Sequence, residues 1–470
     1  MTMINNTYEV PCIAGKIKEK YASEPVYVSV PGSKSITNRA LLISALADGE
    51  STLNGAMLSG DSRVFIECLK NLGISVDTIS ETVNDSGDDA GIVSPGNVTL
   101  KISGCSRALP SSASLNVGSA GTAARFLTAA LGVSQGRYEL DSSEQMRKRP
   151  MSSLLDTLSS LGCEVSYGQE PGHFPFTLDS HGFKRHEFTV NIDESSQFLS
   201  AMLIASVLSD ENIVIHITGS HGMSYVEMTR RIMAQFGKSV KIPAGNGPSD
   251  YRIPAGAGYN SRSYDIEPDM SAAAYFYAMS ALIGIKVCVR GVHFDSMQGD
   301  IEFIHVLENM GCSADDTAEG IILTPPADGI LHGIDIDMSA FSDQAITLSA
   351  IAPFADSPTT IRNIGHIRLQ ESDRLSGIAA ELKRIGVRVE ENEDSVTIYP
   401  IETGQDGNKP ETETESPILI ETYNDHRMAM GFSLLGLKIP GIVINDPGCC
   451  SKTFENYFEV LDSIIEIIKG

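Results

Sequence analysis

Residues 33–49 read SKSITNRALLISALADG, a small polar start followed by an Ala- and Leu-rich helical run. Five further segments share that form: SAGTAARFLTAALG from Ser119, SSQFLSAMLIASVL from Ser195, DMSAAAYFYAMSALIG from Asp269, DQAITLSAIAPFA from Asp343 and DHRMAMGFSLLGL from Asp425. Successive starts lie 86, 76, 74, 74 and 82 residues apart. A second marker keeps the same phase. Amphipathic stretches end at Gly73 (NLGISV), Gly162 (SLGCEV), Gly237 (QFGKSV), Gly311 (NMGCSA) and Gly386 (RIGVRV), with spacings of 89, 75, 74 and 75. Glycine just past a helix supplies the left-handed cap that other residues adopt at a cost. Two markers in register favour a true repeat over six unrelated βα elements.

Each repeat reads as strand, helix, strand, helix and further strand. The β-branched runs Val26–Val30, Val98–Ile102, Ile213–Thr218, Ile285–Val289, Thr359–Ile364 and Gly441–Asn445 are the strand candidates. The sixth repeat meets the end of the sequence at Leu461–Gly470, where its second helix falls. Six repeats of roughly 75 residues fill the 470-residue chain, and a period longer than that of short solenoids points to globular lobes. Two lobes of three repeats are expected, although the period alone does not say how they group. Ser80–Asn97 and Thr403–Pro417 are polar, acidic and rich in turn formers, and read as exposed insertions.

Composition narrows the function. Lys and Arg total 35 against 60 Asp and Glu, a net charge of −25, which disfavours general binding to nucleic acid or an anionic membrane. No apolar run approaches the ~18 residues of a membrane span, and Asn5, Asn6, Glu9 and Pro11 leave no secretory apolar region near the N-terminus. Eight Cys without a Cys-x-x-Cys pair fit a reduced, cytoplasmic protein.

Against that acidic background, the placement of the basic residues is informative. Lys34, Ser35 and Arg39 open the first apolar helix, Thr122 and Arg125 the second, Ser195, Ser196 and Gln197 the third, Asp343 and Gln344 the fifth, and Asp425, His426 and Arg427 the sixth. Capping explains Ser and Asp at such places. It does not explain Lys or Arg, which oppose the helix dipole unless an anion lies between. Arg147, Lys148 and Arg149 before Pro150, Glu371 and Arg374 in LQESDRLSGI, and Lys452 in CCSKTF add further polar points. Together they predict a site for a small polyanion. Gly32-Ser33-Lys34-Ser35 is not a nucleotide phosphate loop, because Ser33 separates Gly from Lys and Tyr27 stands where the earlier Gly belongs. No His pair has zinc-ligand spacing, and no metal or cofactor is expected.

Eight stretches carry a family resemblance: PGSKSITNRALLISALADG (Pro31–Gly49), AGTAAR (Ala120–Arg125), RKRP (Arg147–Pro150), SSQFLSA (Ser195–Ala201), SMQGD (Ser296–Asp300), ESDRL (Glu371–Leu375), YNDHRMAM (Tyr423–Met430) and SKTFENYF (Ser451–Phe458). In family order and over nearly the full length, they resemble the 5-enolpyruvylshikimate-3-phosphate synthases, or 3-phosphoshikimate 1-carboxyvinyltransferases. The resemblance implies a two-lobed inside-out α/β barrel of six βα repeats, three per lobe. One lobe comprises residues 1–32 and 267–470, the other residues 33–266, with the active site in the cleft between them. It implies a cytoplasmic monomer that moves the enolpyruvyl group of phosphoenolpyruvate to the 5-hydroxyl of shikimate 3-phosphate, in the shikimate pathway to chorismate and the aromatic amino acids.

Residue roles follow from the same resemblance. Asp343, Glu371 and Lys34 are the catalytic candidates, with Asp343 as base for the hydroxyl and Glu371 serving the methylene proton. Lys34, Ser35, Arg39, Ser195, Ser196, Gln197, Tyr225, Asp343 and Gln370 are expected to hold shikimate 3-phosphate. Lys34, Gly121, Arg149, Gln197, Arg374, Arg427 and Lys452 are expected to hold phosphoenolpyruvate, in a pocket the family shares with the inhibitor glyphosate. Since these groups come from both lobes, binding is expected to draw the lobes together.

The sequence departs from the family pattern at Ser119, Phe126, Gln145 and Gly222, and above all at Gln370 and His366. The first of these last two usually carries Lys, so His366 or Arg368 is expected to compensate, or the substrate binds more weakly. The related enolpyruvyl transfer to a UDP-amino sugar, which relies on a loop Cys, finds only Cys105 here, in GCSRALP. A non-catalytic anion binder has only Gln370 in its favour.

Overall fold

The computed structural model describes residues 3–4, 6–13, 17–18, 21, 23–81, 97–219, 222–242, 250–256, 258–401 and 417–469. Residues 82–96 and 402–416, the bulk of the two expected insertions, lie outside the described residues. Ser80 in fact lies in the strand Val76–Glu81, and Asn97 opens the strand Asn97–Ser103. The chain forms two compact units, one built from Met1–Pro31 and Pro268–Gly470, the other from Gly32–Thr82 and Gly96–Glu267.

All six apolar segments are helical: Lys34–Leu46, Gly121–Gly132, Gln197–Ala205, Met270–Ile283, Ala345–Ile351 and His426–Gly436. They are buried nearly all round, as expected of helices apolar on every face. Within one unit, the helices starting at Lys34, Gly121 and Gln197 pack in succession; within the other, those starting at Met270, Ala345 and His426 pack together. Ser33, Asp269 and Asp425 cap their helices, accepting from the backbone N–H groups of Ile36, Ala272 and Arg427. The second helices, such as Gly60–Asn71 and Arg374–Arg384, bury one face only. Gly73, Gly162, Gly237, Gly311 and Gly386 all take positive φ, from +80° to +108°, as their positions after helices predict.

Among the described residues, six small sheets complete the fold, three in each unit. Each contains one parallel pair, and its other pairs are antiparallel. A parallel pair needs a crossover, and the apolar helix supplies it. Thus Ser112–Asn116 and Gln135–Asp141 flank the helix Gly121–Gly132.

Two sheets depart from simple chain order. Val26–Val28 directly precedes the helix at Lys34 but pairs with Val287–Arg290, across the helix Met270–Ile283. Ser263–Asp265 precedes that helix but pairs with Glu50–Met57, across the helix Lys34–Leu46. In each unit, therefore, the strand just before the chain leaves pairs with one formed just after the chain enters. The sixth sheet is completed from the N-terminus, where the hairpin Met3–Ile4 with Thr7–Glu9 pairs onto Ile442–Asn445. Tyr8 is buried there and its hydroxyl donates to Asp462 on the final helix, Tyr457–Lys469. Among the described residues, no helix is long and apolar enough to cross a membrane.

Candidate active site

In the unit that contains the C-terminal half, the candidate residues gather around one buried guanidinium. Arg374 opens the helix Arg374–Arg384, and its side chain is 2 % exposed. Nη1 donates to Asp343 Oδ1 at 2.9 Å, and Nη2 to Glu371 Oε2 at 2.9 Å. Nε donates to Asp425 Oδ2 at 2.8 Å, and Nη1 also reaches Gln370 Oε1. Burial works against the charge on Arg374, but Asp425, Glu371 and Asp343 outweigh it and hold the group firmly protonated.

The two candidate catalytic carboxylates each span two cations. Asp343 takes Arg374 on one oxygen and Arg427 Nη2 on the other, at 2.7 Å. Glu371 takes Arg374 on Oε2 and Lys452 Nζ on Oε1, at 3.0 Å. The local folding explains the placement. Asp343 sits in the 3-10 turn Ser342–Gln344, Glu371 precedes the Asp373 cap of its helix, Arg427 follows the Asp425 cap, and Lys452 ends the turn Pro447–Lys452. Tyr423 and Asn424, at φ +54°, turn the chain so that the cap residue Asp425 also meets Arg374.

In the other unit, Lys34 lies at the start of its helix, and its Nζ pairs with Asp61 Oδ2 at 3.4 Å. Asp61 is a partner that the motifs do not mark; its only signal is an acid in the first turn of Gly60–Asn71, where the helix dipole favours it. Ser195 Oγ accepts from Gln197 N–H at 3.2 Å, and Ser196 directly precedes the helix Gln197–Ala205. Gln197 Oε1 is buried with no donor in reach among the described residues. Tyr225, in the helix Met223–Gln235, is half-buried and gives its carbonyl to Arg39.

Arg39 and Arg125, expected near helix starts as cations facing an anion, both also bond within the protein. Arg39 lies in the second turn, buried, and donates to Thr229 Oγ1 at 2.7 Å and to the carbonyls of Ser35 and Tyr225. Burial lowers its pKa to about 10. Arg125 is also buried, donates to the carbonyl of Gly121 and lies over Phe198. The expected run at Arg147–Arg149 divides as well: Arg147 is held by Asp141 at 2.8 Å, while Arg149 approaches Gly121.

Gly121 opens the helix Gly121–Gly132 outside the left-handed region of φ. A Cβ built on it meets Arg125 Nη1 and Arg149 Nη1, each at 2.8 Å. Both contacts are ends of long side chains, so the conflict falls on the guanidinium groups and not on the backbone. Gly121→Ala is therefore expected to leave the melting temperature nearly unchanged and, on the expectation that phosphoenolpyruvate and the longer glyphosate share this wall, to raise the inhibition constant for glyphosate more than the Michaelis constant for phosphoenolpyruvate. Parallel losses in all three quantities would contradict this and restore a turn role for the glycine.

The Gln370 substitution has a clear local setting. The Arg368 guanidinium, one of the two expected compensating groups, pairs with Asp373 at 3.0 Å and with Glu391 at 2.8 Å. His366 Nε2 lies 2.7 Å from Ser342 Oγ, beside Asp343. Cys105 is half-buried, and burial raises its thiol pKa, which opposes use as a thiolate nucleophile.

Comparisons with known proteins agree with this chemistry. Residues 25–461 match the family model described as EPSP synthase (3-phosphoshikimate 1-carboxyvinyltransferase). A 3-phosphoshikimate 1-carboxyvinyltransferase of Nostoc punctiforme is 42% identical over 441 residues, covering 93% of this chain and 96% of its own. A second, from Halalkalibacterium halodurans, is 36% identical, covering 93% of this chain and 91% of its own. A solved EPSP synthase of Acinetobacter baumannii superposes with a TM-score of 0.73 at 23% identity, over 93% of this chain and 95% of its own, and speaks for a shared mixed α/β fold.

Proposed function

Because the chain belongs to the EPSP synthase (3-phosphoshikimate 1-carboxyvinyltransferase) family, we propose that it transfers the enolpyruvyl group of phosphoenolpyruvate to the 5-hydroxyl of shikimate 3-phosphate. In this reading, the methylene carbon of phosphoenolpyruvate gains a proton as the hydroxyl oxygen bonds to the adjacent carbon and the hydroxyl loses its proton. The tetrahedral adduct then expels phosphate, and the methyl group gives back a proton to restore the double bond.

The observation that carries the reading is the double bridging of the two carboxylates. Asp343 lies between Arg374 and Arg427, and Glu371 between Arg374 and Lys452. Phosphoenolpyruvate brings its own carboxylate and phosphate, and competes for the same three cations. As it takes them, Asp343 and Glu371 lose their counter-ions and become stronger bases, so binding the substrate prepares the proton transfers. Arg149 and Lys34 are read as further positive charge for the substrates. Gln197 Oε1 needs a donor, which a hydroxyl of shikimate 3-phosphate provides. Ser35, Ser195, Ser196 and Tyr225 complete the holding of that substrate. Gln370 already accepts from Arg374, so it acts by positioning this Arg and adds no charge of its own. The reading takes the six sheets as six βα repeats of a two-lobed inside-out barrel.

Phosphate release tests the acceptor. Phosphoenolpyruvate with shikimate 3-phosphate is expected to yield phosphate, and phosphoenolpyruvate with a UDP-N-acetylated amino sugar none. Release with the sugar nucleotide alone would overturn the assignment.

A further inference from the structure

Asp300 is 4 % exposed in the 3-10 turn Gly299–Ile301, and its carboxyl ties together the starts of neighbouring elements. Oδ2 accepts from Ser271 Oγ at 3.1 Å, in the first turn of the helix Met270–Ile283. Oδ1 accepts from Gln344 Nε2 at 3.1 Å, next in sequence to Asp343. Ser271 Oγ in turn accepts from Arg427 Nη2 at 3.4 Å, and the same nitrogen reaches Asp343 at 2.7 Å. Gln298 fixes the turn from its other side, accepting from Met270 N–H at 3.0 Å and donating to the Pro268 carbonyl at 2.7 Å. A movement at Asp300 is thus passed to the hydroxyl base and to an anion-binding guanidinium at once.

We propose that Asp300 is a positioning residue for the Asp343–Arg427 pair, holding base and cation in register without touching a substrate itself. The proposal rests on the enolpyruvyl-transfer reading. The charged groups facing Asp300 are Asp343 from the turn Ser342–Gln344, Asp269 at the cap of the helix Met270–Ile283, and Arg427 from the helix His426–Gly436. Burial and the neighbouring Asp343 and Asp269 raise its pKa, while Arg427 and the Gln344 hydrogen bond oppose them; the balance is about 7. Below that pH the carboxyl is mainly neutral. Above it, a negative charge develops beside Arg427 and competes with phosphoenolpyruvate for the guanidinium. The Michaelis constant for phosphoenolpyruvate is therefore expected to climb as the pH rises through about 7.

Two substitutions test this. In D300N, the amide oxygen still accepts from Gln344, the amide nitrogen donates to Ser271 Oγ, and the group never ionises. D300A loses both bonds. We expect D300A to lower kcat/KM by on the order of 10- to 100-fold, the scale of a misplaced reacting group. D300N is expected to recover most of that loss, and its Michaelis constant for phosphoenolpyruvate to stay level across the pH range in which the wild type's climbs. Wild-type kinetics in D300A, or a D300N constant that climbs as the wild type's does, overturns the proposal. If D300A does not fold, the D300N profile decides alone. An inactive wild type in the same assay removes the functional reading and this role with it, whereas an active wild type indifferent to Asp300 removes only this role.

Discussion

Replacing Asp343 with Ala, or Glu371 with Gln, is expected to lower turnover by on the order of 10²–10⁴-fold, the range for loss of a general acid or base. The geometry also predicts how binding responds. On the proposed function, Asp343 competes with substrate anions for Arg374 and Arg427, which it meets at 2.9 and 2.7 Å. Its removal leaves both cations for phosphoenolpyruvate, so the Michaelis constant for that substrate is expected to hold or fall while kcat collapses. Glu371→Gln keeps the size of the side chain and one acceptor oxygen for Arg374 or Lys452, but has no carboxyl to carry the methylene proton. Steady-state kinetics on both variants checks this. A Michaelis constant that rises in proportion to the fall in kcat/KM, with kcat intact, would make these residues binding groups only. Near-normal turnover in either variant would remove its catalytic role.

The second large effect falls on stability. Arg374→Met is expected to destabilise the fold by about 3–5 kcal/mol, the cost of removing one partner from a buried ionic cluster. Asp425 is 0 % exposed and Glu371 only 13 %. Without Arg374, Asp425 keeps its contact with Ser372 Oγ at 3.2 Å and its bond from the Arg427 backbone, but loses its guanidinium. Arg374→Lys is expected to recover only part of the loss. A single ammonium lacks the planar fork that meets Asp343, Glu371 and Asp425 together. Denaturant unfolding of the three proteins, at the pH of assay, measures the series. Equal midpoints would show that the cluster adds nothing to stability and that Arg374 acts on substrate alone.

What the sequence disclosed is the part of the fold written in local chemistry. Ser33, Asp269 and Asp425 cap helices with side chains near in sequence, and Gly73 through Gly386 mark helix ends by a backbone conformation that suits glycine. Strand pairing is a different matter. Val26–Val28 is recognisable as a strand from its composition, but its partner at Val287–Arg290 is set by where the chain leaves and re-enters each compact unit. Nothing local encodes that. The short hairpin at Met3–Glu9 is likewise too brief to announce that it completes a sheet begun at Ile418.

The site divides the same way. The motifs mark Asp343, Glu371, Arg374, Arg427 and Lys452 as a group, and these five do converge. The motifs do not indicate that Asp425 is the closest carboxylate to Arg374, or that Asp61 faces Lys34. Those pairings depend on how helices from distant segments meet. Arg39 and Arg125 carry a further role that the motifs leave unmarked: both donate to backbone carbonyls. Asp300 stands within the recognised SMQGD stretch, yet only its burial against Ser271 and Gln344 reveals a reason for it.

Phosphorus NMR of wild-type protein mixed with phosphoenolpyruvate and shikimate 3-phosphate follows every phosphorus atom in the reaction at once. Enolpyruvyl transfer predicts that the phosphoenolpyruvate signal declines as inorganic phosphate grows in equal amount, while the shikimate phosphate ester shifts but keeps its full intensity. A phosphoenolpyruvate signal that persists beside folded protein, or inorganic phosphate drawn from the shikimate ester, would contradict the account.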